Sequence, residues 1–168
     1  MKNLVLIFGA PGVGKTATCE ELKNLLPKNI LLEGDWLWSP TPFFMAETER
    51  EMFYKNLVYV LDNFLSHPEL ENIIHSWVVP EKEVLQKILL QLSLENVNLH
   101  IFALTCSEQE HMKRIENDVN PRRRATHVGG SIKRLEQYND VNHKKIDTTG
   151  LTAKEVAGVI SKEVMACC

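Results

Sequence analysis

The chain has 168 residues, 44% hydrophobic and 24% charged, with a formal net charge of -3. That length suits one domain with a substantial core, so residues 1–168 read as a single domain. The mild acidity argues against nucleic-acid binding driven by overall charge. No apolar stretch is long enough to span a bilayer. Cys19, Cys106, Cys167 and Cys168 show neither zinc spacing nor a disulfide framework. Met1 runs straight into an apolar strand, leaving no room for a signal peptide. Together these features point to a reducing, cytoplasmic setting.

The first predicted strand, about Asn3 to Phe8, is nearly all apolar, as a strand buried on both faces must be. It runs into Gly9-Ala10-Pro11-Gly12-Val13-Gly14-Lys15-Thr16, which has the Gly-x4-Gly-Lys-Thr spacing of a P-loop. The chemistry explains the composition. Glycines let successive backbone N–H groups converge on phosphate oxygens, and the helix that follows points its positive end at the same anion. Lys15 reaches the β- and γ-phosphates, and the Thr16 hydroxyl joins a magnesium shell. ATP and Mg2+ are therefore the expected cofactors.

That helix carries Leu22, Leu25 and Leu26 and stops near Pro27. A second strand, Ile30-Leu31-Leu32, ends in Glu33-Gly34-Asp35-Trp36, followed by Ser39-Pro40-Thr41-Pro42, which two prolines exclude from regular structure. Phe53, Leu57, Val60, Leu61 and Phe64 predict a long amphipathic helix from about Ala46 to Leu65. Ile73 to Val79 reads as a third strand stopped by Pro80, and Val84 to Leu92 as a one-sided helix. Val97 to Leu104 reads as a fourth strand. Ser107 with Glu110 forms a capping box that opens the next helix. Asn120-Pro121 breaks it, Gly129-Gly130 is a joint, and Ser131 to Tyr138 is helical again. His143 to Ile146 is a short fifth strand. Thr152 with Glu155 makes a second capping box, ahead of a helix buried through Val156, Val159, Ile160 and Val164.

Alternation of strands and helices predicts a three-layer α/β/α domain with a five-stranded parallel sheet. Ligands then collect where the strands end, so Asp35, the neighbours of Pro80, Cys106 and Asp147 to Thr149 should share a cleft with the P-loop. Strand three ends in His75-Ser76-Trp77 with no acid. No Asn-Lys-x-Asp guanine-reading motif occurs either, which argues against a GTPase switch.

Asp35 is the acidic candidate for accepting a substrate proton or helping to hold magnesium, with Glu33 placed to support either role. Alternatively, Gly34-Asp35 merely turns the chain. Trp36, Trp38, Phe43 and Phe44 either stack on an acceptor or anchor the loop to the core. Arg114, Arg122, Arg123, Arg124 and Arg134 make a basic set. Hinged by Pro121 and Gly129-Gly130, they would form a lid, approximately 114–134, closing over the triphosphate. The other reading is a solvated charge run. The six histidines have no metal-ligand spacing and receive no role.

Gly9 to Thr16 resembles the adenylate-kinase type of loop among P-loop kinases of nucleosides, nucleotides and small metabolites. Glu33-Gly34-Asp35 followed by an aromatic resembles the second-strand motif of gluconate kinases and adenylylsulfate kinases, which implies an acceptor-facing role for Asp35. Arg114-Ile115 resembles the arginine that starts the lid near adenine. Arg122 to Arg124 are similar to lid arginines, and Arg134 to one that returns to the phosphates. Asp147-Thr148-Thr149 resembles the loop that passes the adenine, which implies a nucleotide-binding role for Thr148. The resemblance implies an ATP-dependent phosphotransferase in which Lys15, Asp35, Arg122 and Arg134 are catalytic, with a small-molecule acceptor and no membrane. A nucleic-acid-end kinase or a regulatory ATP-binding module are the alternatives.

Overall fold

A computed structural model of the chain describes residues 1–78, 82–117 and 143–166. Strands β1 (Lys2–Gly9), β2 (Asn29–Glu33), β3 (Asn72–Trp77), β4 (Val97–Thr105) and β5 (Lys144–Asp147) form one sheet in the order β2-β3-β1-β4-β5. Every pairing is parallel. The helices are α1 (Lys15–Lys23), α2 (Glu47–Ser66), α3 (Lys82–Leu89), α4 (Glu108–Glu116) and α5 (Ala153–Ala166), with a single 3-10 turn at Gly34–Trp36.

Right-handed crossovers dictate the layers. The step from β1 to β2 runs toward one sheet edge, and the later steps run back toward the other. Helix α1 therefore lies on one face, and the C-terminal α5 packs against it there. On the opposite face, Leu57 and Leu61 of α2 and Leu85 and Ile88 of α3 meet Leu6 and Phe8 of β1 and His75 and Trp77 of β3. Covered on both sides, Leu4, Val5, Ile7, Ile73, Ile74 and Leu104 have no accessible surface. This is why β1 reads as an almost unbroken apolar run and β3 opens on Ile73-Ile74.

Two helix faces differ from the periodicity. α1 closes at Lys23, so Leu25 lies past its end and is exposed while Leu22 and Leu26 are buried. On α5 the buried stripe is Val156, Ala157, Ile160, Ser161 and Val164. Val159 falls on its far flank, exposed, because the 3.6-residue turn favours 157 and 161 over 159 as neighbours of 160 and 164.

The capping boxes also diverge. Thr152 and Glu155 bond reciprocally, with Thr152 N donating to Glu155 Oε2 at 2.8 Å and Glu155 N to Thr152 Oγ1 at 3.3 Å. At α4 only half the box forms. Ser107 Oγ accepts from Glu110 N, while Ser107 N donates to Thr149 Oγ1 and Glu110 pairs with Arg114 instead. Tertiary partners outcompete the local one, and α4 is thereby tied to the β5–α5 turn.

Candidate nucleotide and acceptor site

The P-loop sits between β1 and α1 at the carboxyl edge of the sheet. Its glycines are there for two distinct reasons. Gly12 and Gly14 have φ of +88° and +99°, a left-handed conformation that side chains disfavour. Gly9 lacks space: a Cβ there would come within 2.8 Å of Leu104 O and 2.7 Å of Val13 Cγ2. Gly14 is the N-cap of α1, and no side chain caps that helix. The amides of its first turn have no intrahelical partner and remain available to an anion.

The loop's carbonyls are tied down one after another. Lys15 Nζ donates to Gly9 O at 2.8 Å and Ala10 O at 3.0 Å. Pro11 O lies 2.7 Å from His111 Nε2. Val13 O accepts from Arg114 Nη1 at 3.1 Å. Arg114 places three further donors nearby, with Nε on Glu110 at 2.8 Å, Nη1 on Thr148 Oγ1 at 2.9 Å and Nη2 on Thr148 O at 2.8 Å. Thr148 is buried, and its backbone N donates to Thr105 O. Arg114 and Thr148 thus meet at the P-loop, where both bond the Val13 carbonyl. His111 was not legible as a site residue. It carries no spacing signal and meets Pro11 only through the fold.

Across the mouth, β2 delivers Glu33. It pairs in register with Ser76 at the end of β3, where the sequence has no acid. A carboxylate thus stands beside the end of β3, on the neighbouring strand. Glu33 is half-buried, and burial raises its carboxyl above the ordinary range; the negative charge of Asp35 adds to that rise. The hydroxyls of Ser76 and Thr16 and the ammonium of Lys15 pull it back. Glu33 Oε1 and Ser76 Oγ are sealed from solvent, and beyond this loose approach to one another neither makes a well-formed hydrogen bond among the described residues. Beneath them the Cys19 thiol, desolvated and facing Glu33, is pushed up to about 12 and stays protonated. Cys19 and Cys106 are both free and buried.

Asp35 stands exposed on the 3-10 turn that follows Gly34. Gly34 is dictated by Trp77, since a Cβ there would lie 2.2 Å from Trp77 Cδ1. Trp77 in turn stacks on Phe53 with ring centroids 4.1 Å apart. Beyond the turn, Trp38 donates its Nε1–H to Phe44 O at 2.7 Å and meets the Phe44 ring edge-on. Those two aromatics fasten their own loop, and Trp38, with Leu37 and Met45, also packs it against the core. Trp36 and Phe43 stay 64% and 70% exposed. Arg122, Arg123, Arg124 and Arg134, the expected lid, lie outside the described residues, as do Pro80, Gly129-Gly130 and Ser131 to Tyr138.

A family model described as an AAA domain matches residues 5–140, most of the chain. The chain belongs to that AAA domain family. No curated protein sequence matches this AAA domain significantly. Solved structures do. A tunicamycin resistance protein from Deinococcus radiodurans is 24% identical, with 98% of this chain and 96% of that chain covered at a TM-score of 0.71. A gluconokinase from Sinorhizobium meliloti is 14% identical, with 98% and 96% covered, at 0.65. An APS kinase from Mycobacterium tuberculosis, solved with AMPPNP and APS, is 11% identical, with 98% of each chain covered, at 0.62. At these identities the likeness establishes the fold: a P-loop α/β domain with a five-stranded parallel sheet. Among the described residues no helix is long and apolar enough to cross a membrane.

Proposed function

We propose that this AAA domain is an ATP-dependent phosphotransferase acting on a hydroxyl or phosphate of a small molecule. The observation that carries the reading is the pairing of a braced P-loop with two carboxylates, Glu33 and Asp35, at the end of the neighbouring strand. A motor or regulatory module needs no acceptor-side carboxylate. The lack of acid on β3, which favours a non-catalytic module, is offset by Glu33 opposite Ser76.

The backbone amides of the Gly9 to Thr16 loop, Pro11 excepted, hold the polyphosphate, and Lys15 leaves its resting carbonyls to pair with the β- and γ-phosphates. A magnesium ion fits beside them. Among the described residues no cage of three or more His, Cys, Asp or Glu exists, but magnesium takes few protein ligands and keeps phosphate and water oxygens. The Thr16 hydroxyl would hold it, and the buried oxygens of Glu33 and Ser76 provide acceptors for its waters. When bound, it neutralises phosphate charge.

Asp35 receives the acceptor's proton as the acceptor oxygen bonds the γ-phosphorus and the bridging P–O bond to ADP breaks. Arg122 and Arg134 are assigned to charge neutralisation over the γ-phosphoryl group. The likeness to a gluconokinase and an APS kinase supports small-molecule transfer and leaves the acceptor open. A screen of nucleosides, nucleotides, sugars and sugar acids coupled to ADP release tests this. Asp35→Asn should cut turnover with the best acceptor far more than it weakens ATP binding. Slow ATP hydrolysis indifferent to every acceptor would refute the assignment.

A further inference from the structure

In a planar trans peptide, a carbonyl and the next residue's N–H point in opposite directions. Fixing the carbonyl therefore aims the amide. Pro11 O and Gly12 N–H share one such unit, and Val13 O and Gly14 N–H share another. Pro11 O is held by His111 Nε2 at 2.7 Å, and Val13 O by Arg114 Nη1 at 3.1 Å. His111 and Arg114 stand three residues apart on α4 and so share one face of it. α4 draws two alternate carbonyls of the loop to itself, which turns the two glycine amides toward the loop's inner side.

His111 bears the mark of a residue kept for this contact. It has no accessible surface. Its Nε2 must carry the proton to donate to a carbonyl, which leaves Nδ1 as a bare acceptor. Nδ1 is buried with no partner among the described residues, a cost an apolar side chain would avoid. Gly12 also fits against the ring, since a Cβ there would lie 3.3 Å from His111 Nε2.

Granted the nucleotide binding proposed above, on which this rests, we propose that His111 is a positioning residue for phosphate recognition: it holds Pro11 O so that the Gly12 amide faces the polyphosphate. The residue touches no substrate itself.

Calorimetric titration of the full chain with Mg-ATP and with tripolyphosphate, on wild type, His111→Gln and His111→Met, tests it. Glutamine keeps an N–H donor at similar reach and methionine fills the space without one. Methionine should weaken both ligands about tenfold, the scale of one buried hydrogen bond that aims an anion donor. Glutamine should restore affinity to within about twofold on the same scale. Melting of the ligand-free proteins separates this from a packing role, which would lower stability in both variants and leave the affinity of the folded fraction unchanged. Wild-type affinity in His111→Met, or equal losses in both variants, overturns the positioning role. A wild-type chain that binds neither ligand overturns the nucleotide reading itself, and this inference with it. Should His111→Met not fold, His111→Asn, whose amide is too short to reach Pro11, takes its place under the same criteria.

Discussion

The two halves of the cleft are built differently. On the donor side, the carbonyls of Gly9, Ala10, Pro11 and Val13 each have a side-chain partner, drawn from Lys15, His111, Arg114 and Thr148. On the acceptor side, Asp35 is exposed and Trp36 and Phe43 project into solvent, while the loop is held by the Trp38–Phe44 contact and by Leu37, Trp38 and Met45 packing against the core. Binding a polyphosphate requires amides already aimed, because reorienting them at the moment of binding costs affinity. Acceptor choice requires the opposite, a surface whose side chains change without disturbing the fold. A rigid donor half beside an exposed acceptor half meets both needs.

Lys15→Ala should break the donor half outright, lowering transfer by on the order of 1,000-fold, as loss of a preorganised charge on the transferred group does. Turnover with the best acceptor is the measurement; a variant within tenfold of wild type would remove Lys15 from the chemistry.

His75 probes the layer beneath the cleft. Its Nδ1 donates to Leu32 O at 2.9 Å, Nε2 is buried without a partner among the described residues, and desolvation lowers its pKa to about 4. Above the unfolded value of 6.5 both states are neutral and stability is complete. As the pH falls below 6.5 the unfolded chain takes up the proton and the folded one does not, so stability drops until about pH 4. The loss should approach about 3 kcal/mol. Urea denaturation across that window checks it, and His75→Leu should flatten the slope by removing this residue's share.

Gly34→Ala attacks the seam between the halves. Its Cβ meets Trp77 at 2.2 Å, and Trp77 is pinned by the stacked Phe53. Overpacking of this kind costs about 1–3 kcal/mol. Denaturation should show that loss together with weaker acceptor use, because the turn carrying Asp35 must shift.

Trp36→Ala should be the mildest change. Folding stability stays within about 0.5 kcal/mol, as at other exposed sites, and ATP affinity is unchanged, while KM for the acceptor rises. A rise in the Kd for ATP instead would erase the division between the two halves.

Local chemistry made some of this legible from residues alone. Gly-x4-Gly-Lys-Thr after an apolar run specifies strand, loop and helix together, because the φ values, the amide donors and the lysine reach all belong to one short stretch. The parallel sheet follows from runs such as Leu4 to Phe8 that have no polar face. The Thr152–Glu155 box forms as written because nothing else competes for it. What only the tertiary structure decided depends on partners distant in sequence. His111 lies 100 residues from Pro11, Glu33 meets Ser76 through strand register, Gly34 is dictated by the Trp77 ring, and Glu110 leaves its cap for Arg114. Sequence spacing reports what neighbours along the chain can do. Packing chooses among those possibilities by the free energy of contacts that exist only once the sheet has brought its strand ends together.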